Sequence, residues 1–297
     1  MSDDRKSRKP GEPETTGHEW DGIQEYNNPL PRWWLWIFYA TIVWGIGYTI
    51  AYPAWPGIKQ ATPGLLGYSS RAEVAEEIAE AEGRLGGTNE RLASVELTEV
   101  IEDPELRTYA TQAGAAVFRT WCAQCHGSGA AGVQAAGYPN LLDDAWLWGG
   151  SIEDITYTVR HGIRNEDDPD ARWSQMPAYG TDGILSEEEI HQVVNHVMTL
   201  SGGTPQDAEA AEAGAEIFEI QCAACHGADG GGDPMQGAPA LNDAIWLYGG
   251  DYDTLIETVT YSRFGIMPPW GNRLEEHQIR AVSAYVHQLG GGEASPE

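Results

Sequence analysis

The stretch AAVFRTWCAQCHGSG, Ala115 to Gly129, holds two cysteines three positions apart with a histidine directly after the second. The pattern returns in AEIFEIQCAACHGAD, where Cys222, Cys225 and His226 stand one hundred positions beyond Cys122, Cys125 and His126. These are all four cysteines of the 297-residue chain. The repetition continues outward. YPNLLDDAWLWGG matches APALNDAIWLYGG, and QMPAYG matches IMPPWG. The offset falls from one hundred at Trp146 and Trp246 to ninety-one at Met176 and Met267, so the first copy carries a polar insertion in HGIRNEDDPDARWSQ, His161 to Gln175. A duplicated unit of about ninety residues is small for an independent core.

Each copy opens and closes with helical spacing. Gly114 with Phe118, and Gly214 with Phe218, lie four apart on one face. The closing stripes are Ile190, Val193, Val194, Val197 and Leu200, then Ile279, Val282, Val286 and Leu289, with Ser186 and Glu189 forming a capping box before the first. Between these helices the chain is rich in Gly, Pro and Asp. A loop-rich unit of this kind needs an internal filler.

Three readings compete for C-x-x-C-H. Two C-x-x-C pairs can supply four thiolates to zinc, but this leaves the adjacent histidine and the repeated methionine unexplained. A thioredoxin-like dithiol expects a βαβ context, which is absent. Covalent haem attachment accounts for all of it: two thiols at this spacing reach the two vinyl groups of a porphyrin, and the next residue places an imidazole beneath the iron. Met176 and Met267, each followed by proline and each ahead of a closing helix, are the expected sixth ligands. Pairing each with its own copy is the simplest assumption, and a ligand from the neighbouring copy is the alternative. His161, His191, His196, His277 and His287 do not recur at equivalent positions and read as surface residues. Pro139 and Pro239 are candidates to accept the N–H of each haem histidine. Trp146 and Trp246 could wall the porphyrin or bond a propionate, and Arg160 and Arg263 could neutralise one. Iron closed on both sides suits electron transfer and offers no site for catalysis.

Trp33 to Ile58 contains no charged residue, and its first twenty residues would form a helix of about 30 Å, the thickness of a bilayer core. Tryptophans and tyrosines mark both ends, and Pro53 and Pro56 stop it. A cleaved signal peptide has a shorter leader and a shorter apolar core. Five Lys or Arg precede the segment, which favours a cytoplasmic N-terminus and places everything beyond residue 60 outside. Residues 60–297 hold thirty-eight acids, eleven Arg and no Lys, within a formal charge of −28. Nucleic acid is excluded as a partner on this balance. An acidic face suits steering of a basic protein.

SRAEVAEEIAEAEGRL, Ser70 to Leu85, reads as an acidic helix ended by Gly86 and Gly87, part of a spacer, and the chain after Gly290 reads as disordered. The expected segments are 1–32 cytoplasmic, 33–58 anchor, 59–107 linker, and two haem domains at 108–203 and 204–297.

CAQCHG, CAACHG, MPAYG and MPPWG after a single span, together with HEWDGIQEYNNPLPRWWLWIFYATIVWGIGY, His18 to Tyr48, resemble subunit III (the FixP or CcoP type) of cbb3-type cytochrome c oxidases over essentially the whole chain. The resemblance implies an all-α fold: one N-terminal transmembrane helix, then two tandem class I cytochrome c domains, each with covalent haem c, facing the periplasm from the bacterial inner membrane. It implies electrons taken from a donor cytochrome c and passed to the monohaem subunit and then the catalytic, oxygen-reducing, proton-pumping subunit. A free membrane-tethered carrier and a dihaem peroxidase are the alternatives.

Overall fold

The computed structural model describes residues 13–295, and the chain divides into two units, Met1–Gly83 and Arg84–Glu297. The arginines and lysines at positions 5, 6, 8 and 9, on which the orientation argument leans, lie outside the described residues.

In the first unit, β1 (Thr15–Trp20) and β2 (Ile23–Tyr26) form an antiparallel hairpin. Asp21 and Gly22 both take positive φ, 51° and 81°, as a two-residue turn matched to strand twist requires. An otherwise all-α expectation thus acquires a small sheet in the leader. Helix α1 (Arg32–Ala51) is twenty residues long, apolar on every side and without a buried residue. It ends before the expected limit at Ile58. Tyr52 is extended because the ring of Pro53 disfavours helical backbone before it, and the chain turns back so that Leu65 and Leu66 donate to the carbonyls of Ile50 and Ala51.

Helix α2 (Ser70–Ser94) runs through Gly86 and Gly87 instead of stopping there. Its far end belongs to the second unit, where Leu92 is fully buried with Val100, Leu106, Ala110, Ile152, Ala281 and Ala284. The part of the expected spacer beyond Arg84 is therefore folded. Short α3 (Leu97–Glu102) leads to α4 (Pro104–Val117), which starts well because Asp103 accepts from two first-turn amides and Pro104 needs no partner for a missing N–H.

A π-helical turn, Phe118–Cys122, joins α4 to α5 (Ala123–His126). Then come α6 (Ile152–His161), α7 (Glu187–Leu200), α8 (Ala208–Gln221), α9 (Ala223–His226), α10 (Tyr252–Tyr261) and α11 (Glu276–His287). The capping box at Ser186 and Glu189 is present, and Glu275 with Gln278 forms its counterpart before α11.

Packing does not follow the repeat. Phe118, Ile155 and Val159 of the first copy bury against Trp270, Leu274, Ile279, Val282 and Val286 of the second. Phe218 and Leu255 of the second copy bury against Tyr179, Leu185, Ile190, Val193, Val194 and Val197 of the first. Helix α4 thus pairs with α11, and α7 with α8. The limits 108–203 and 204–297 describe the sequence repeat, while each core draws on both sides of them. The tail is ordered at least to residue 295: the Glu293 amide donates to the Gly150 carbonyl and Ser295 donates to Glu153, so Gly290 does not mark the onset of disorder.

Glycine makes the two helix crossings possible. A Cβ at Gly114 would collide with the Ala281 carbonyl, and one at Gly214 with the Gln192 carbonyl. Gly114→Ala and Gly214→Ala are each expected to cost about 1–3 kcal/mol by overpacking, read as a lower denaturant midpoint. Gly86→Ala, in the helix interior with open space around it, is expected to stabilise by about 0.5–1 kcal/mol. Equal midpoints for all three would refute the close crossing.

Candidate functional site

The exchange of closing helices creates two clefts. The first is lined by Cys122, His126, Pro139, Trp146 and Met267 and holds about 730 Å³ of empty space. The second is lined by Cys222, Cys225, His226, Pro239, Trp246 and Met176, with about 1410 Å³, part of it open to solvent. Clefts that are apolar with a few convergent polar groups suit a cofactor. Each C-x-x-C-H therefore faces the methionine of the other copy.

The reason lies in the residues after α6 and α10. Beyond α6, Gly162 has φ +75°, and a Cβ there would strike the Met267 carbonyl. Ile163 exchanges both backbone hydrogen bonds with Met267, at 2.9 and 3.0 Å. Beyond α10, Ser262 at the equivalent position is left-handed at φ 54°, and its buried hydroxyl donates to the Met176 carbonyl. A second tie joins the Met176 loop to the end of α8: the Tyr179 hydroxyl donates to the Gln221 carbonyl at 2.6 Å, beside Cys222. Burial raises that phenol to about 12.

Both histidines sit alike. Nδ1 of His126 lies 3.3 Å from the Pro139 carbonyl, and Nδ1 of His226 lies 2.9 Å from the Pro239 carbonyl. A carbonyl can only accept, so Nδ1 carries the proton and Nε2 keeps its lone pair for a metal. Burial holds both imidazoles below their ordinary pKa, that is, neutral, with the proline carbonyl opposing in part. Gly132 and Gly232, both with positive φ, let the loop close this near, since a Cβ would meet the backbone of Pro139 or Pro239.

No disulfide joins the four cysteines, and burial raises the Cys122 and Cys222 thiols to about 11. Such thiols are poor thiolates, which disfavours dithiol exchange. The donor set fits a covalently held haem: paired thiols, an oriented neutral imidazole and a thioether around an apolar space.

Other expected residues divide. Trp146 and Trp246 wall the two clefts, but the Trp146 indole N–H donates to the Gly291 carbonyl at 2.6 Å and is not free for a propionate. Arg160 is not in either cleft wall. It grips Glu276 through both terminal nitrogens at 2.6 and 2.8 Å, because a carboxylate on α11 lies opposite it. Arg263 lines the second cleft, paired with Glu257 at 3.0 Å and stacked over Tyr248. None of His161, His191, His196, His277 or His287 lines either cleft. Missed from sequence are Arg164, on the second cleft, and Leu147, in the walls of both. Leu147 recurs as Leu247 in the matched segments AWLWGG and IWLYGG, a signal that could have found it, whereas no repeat marks Arg164.

Residues 12–59 match the family described as the N-terminal domain of cytochrome oxidase-cbb3, FixP. Residues 110–197 and 209–286 match the family described as cytochrome c oxidase, cbb3-type, subunit III. The cbb3-type cytochrome c oxidase subunit CcoP of Cereibacter sphaeroides is 59% identical over 99% of this chain and 100% of its own. That of Rhodobacter capsulatus is 53% identical over 97% and 100%, and subunit FixP of Azorhizobium caulinodans is 50% identical over 95% of each.

Arg160 and Arg280 together pull the Glu276 carboxyl down from 4.5 to about 2. A depressed carboxyl stabilises the fold fully above its ordinary value and loses that contribution as pH falls toward 2. Glu276→Gln is expected to flatten the acid-unfolding curve between these limits. An unaltered curve would remove the α6–α11 ion pair from the stability of the first core.

Proposed function

Because the chain belongs to the subunit III family of cbb3-type cytochrome c oxidases, we propose that it holds two covalent haems whose axial methionines are exchanged between its copies. It is a c-type cytochrome with tandem haem domains, an electron-transfer subunit of a terminal oxidase. In this reading Cys122 and Cys125 attach the first haem, with His126 on one side of the iron and Met267 on the other. Cys222 and Cys225 attach the second, between His226 and Met176. The observation that carries the assignment is the composition of the two clefts: Cys122 and His126 with Met267 in the first, and Cys222, Cys225 and His226 with Met176 in the second.

Bound haem supplies a one-electron couple at each cleft. The chain's own residues set its surroundings. Pro139 and Pro239 orient the imidazoles and raise their basicity. The thioether on the far side favours the ferrous state, raising the potential. Phe118, Val282 and Val286 at the first cleft, and Val193, Val194 and Phe218 at the second, exclude water. With His126, Met267, His226 and Met176 as donors, the bound haems would serve electron transfer, so we assign oxygen reduction to the catalytic subunit and no catalytic residue to this chain.

The partners are the monohaem and catalytic subunits of the oxidase and a donor cytochrome c. Helix α1 anchors the chain in the inner membrane, with the haem domains in the periplasm. The excess of acids beyond residue 60 supports a basic donor.

Removing the second attachment site by Cys222→Ala and Cys225→Ala leaves a chain with one haem. On that background Met267→His is expected to replace the methionine-ligated spectrum with a bis-histidine one, and Met176→His to leave it unchanged. The reverse pattern would restore pairing within each copy. Electron entry from a basic donor is expected to slow steeply with ionic strength, and flat kinetics would return the acidic surface to a role in solubility. Peroxide turnover by the purified chain with high-spin ferric iron would overturn the electron-conduit reading.

A further inference from the structure

Arg164 stands in the segment that holds the first copy's insertion, yet it lines the second cleft beside Met176, Tyr248 and Arg263. Its backbone takes φ 50°, a left-handed conformation uncommon for a side chain this long. Nε donates to the Ser174 carbonyl, and one terminal nitrogen donates to the Gly265 carbonyl at 3.0 Å. Those two bonds hold the guanidinium between the insertion and the loop after α10. They leave three of its five N–H groups to be placed.

No carboxylate lies within ion-pairing distance of it among the described residues, in contrast to Arg160, Arg172 and Arg263, each of which has one. The side chain is half-buried, and that burial pulls its pKa below the ordinary arginine value. A desolvated cation with neutral partners alone is costly, and a bound anion relieves the cost. The first cleft has no arginine in its wall, so the arrangement belongs to one haem only.

We propose that Arg164 is the counter-ion of a carboxylate of the second bound cofactor, a haem propionate, reached across the exchange from the first copy. The assignment rests on the haem reading given above and deepens it. A fixed positive charge beside that porphyrin favours the electron-rich ferrous state and raises the potential of the second haem relative to the first. Arg164 is in this sense a positioning and tuning residue.

The test is a spectroscopic redox titration of the full-length holoprotein carrying Arg164→Gln or Arg164→Lys. The variants Met176→His and Met267→His, each of which moves one titration component, identify which component is which haem. Arg164→Gln is expected to shift the second haem's reduction equilibrium about tenfold toward ferric, a fall of about 59 mV for one electron. The first haem and both low-spin spectra should be unchanged. Arg164→Lys, which keeps the charge and loses the fork, is expected to recover most of the shift. An unshifted second component in Arg164→Gln overturns the proposal. So does a Lys variant as low as Gln, which would make the residue a brace for Ser174 and Gly265 alone. Failure of the haem reading itself is distinct, since then mass analysis would find no tetrapyrrole on Cys222 and Cys225.

Discussion

Two backbone contacts organise the second unit: α4 lies against α11 at Gly114, and α8 lies against α7 at Gly214. At both places a helix presents bare backbone to a carbonyl of its partner, and the apolar side chains on either side interlock as a result. Phe118 and Phe218, one turn beyond each glycine, enter the two cores at equivalent points. Everything nearer the clefts follows from these crossings. The closing helix brings its own methionine loop with it, and the residues after α6 and α10 receive that loop.

The two receptions differ in chemistry. Met267 is held by a reciprocal pair of backbone hydrogen bonds with Ile163, whereas Met176 is held by the hydroxyl of Ser262. The two positions both take positive φ but differ in ψ: Gly162 is at φ 75°, ψ −171°, and Ser262 is left-handed at φ 54°, ψ 62°. The clefts also adjoin. Leu147 belongs to the wall of both, while Trp148 packs on Gly237 and Tyr248 on Gly137, each a large ring against a residue with no side chain in its way. Shared walls of this kind place two bound groups close together, which suits transfer of electrons from one to the other.

Much of the site could be read from residue type alone. Cys122, Cys125 and His126 announce their chemistry by identity and spacing, and the stripes at Ile190 and Ile279 reveal which helix faces are buried. The limits were of two kinds. Local signals competed: Gly86 and Gly87 read as a helix stop, but Leu92, Val100 and Leu106 gain enough by burial to carry α2 through them. Asp21 and Gly22 are a legible hairpin turn inside a leader read for its charge and its family resemblance and not for strands. The second kind is long-range. Met176 and Met267 stand in matching local settings, and the contacts that decide their partners, with Ser262 and Ile163, join segments about ninety to one hundred residues apart. Arg160 failed as a propionate ligand for the same reason, because Glu276 is remote in sequence and adjacent in space.

The exchange also dictates an order of assembly. Helices α7 and α8 are separated by a short turn, so they can dock as a hairpin while the chain around them is still loose, at small loop-closure cost. Helices α4 and α11 lie on either side of that hairpin in sequence and cannot meet until nearly all of the chain has been delivered. The first C-x-x-C-H, although it leaves the ribosome a hundred residues earlier, is therefore the later of the two to be sealed.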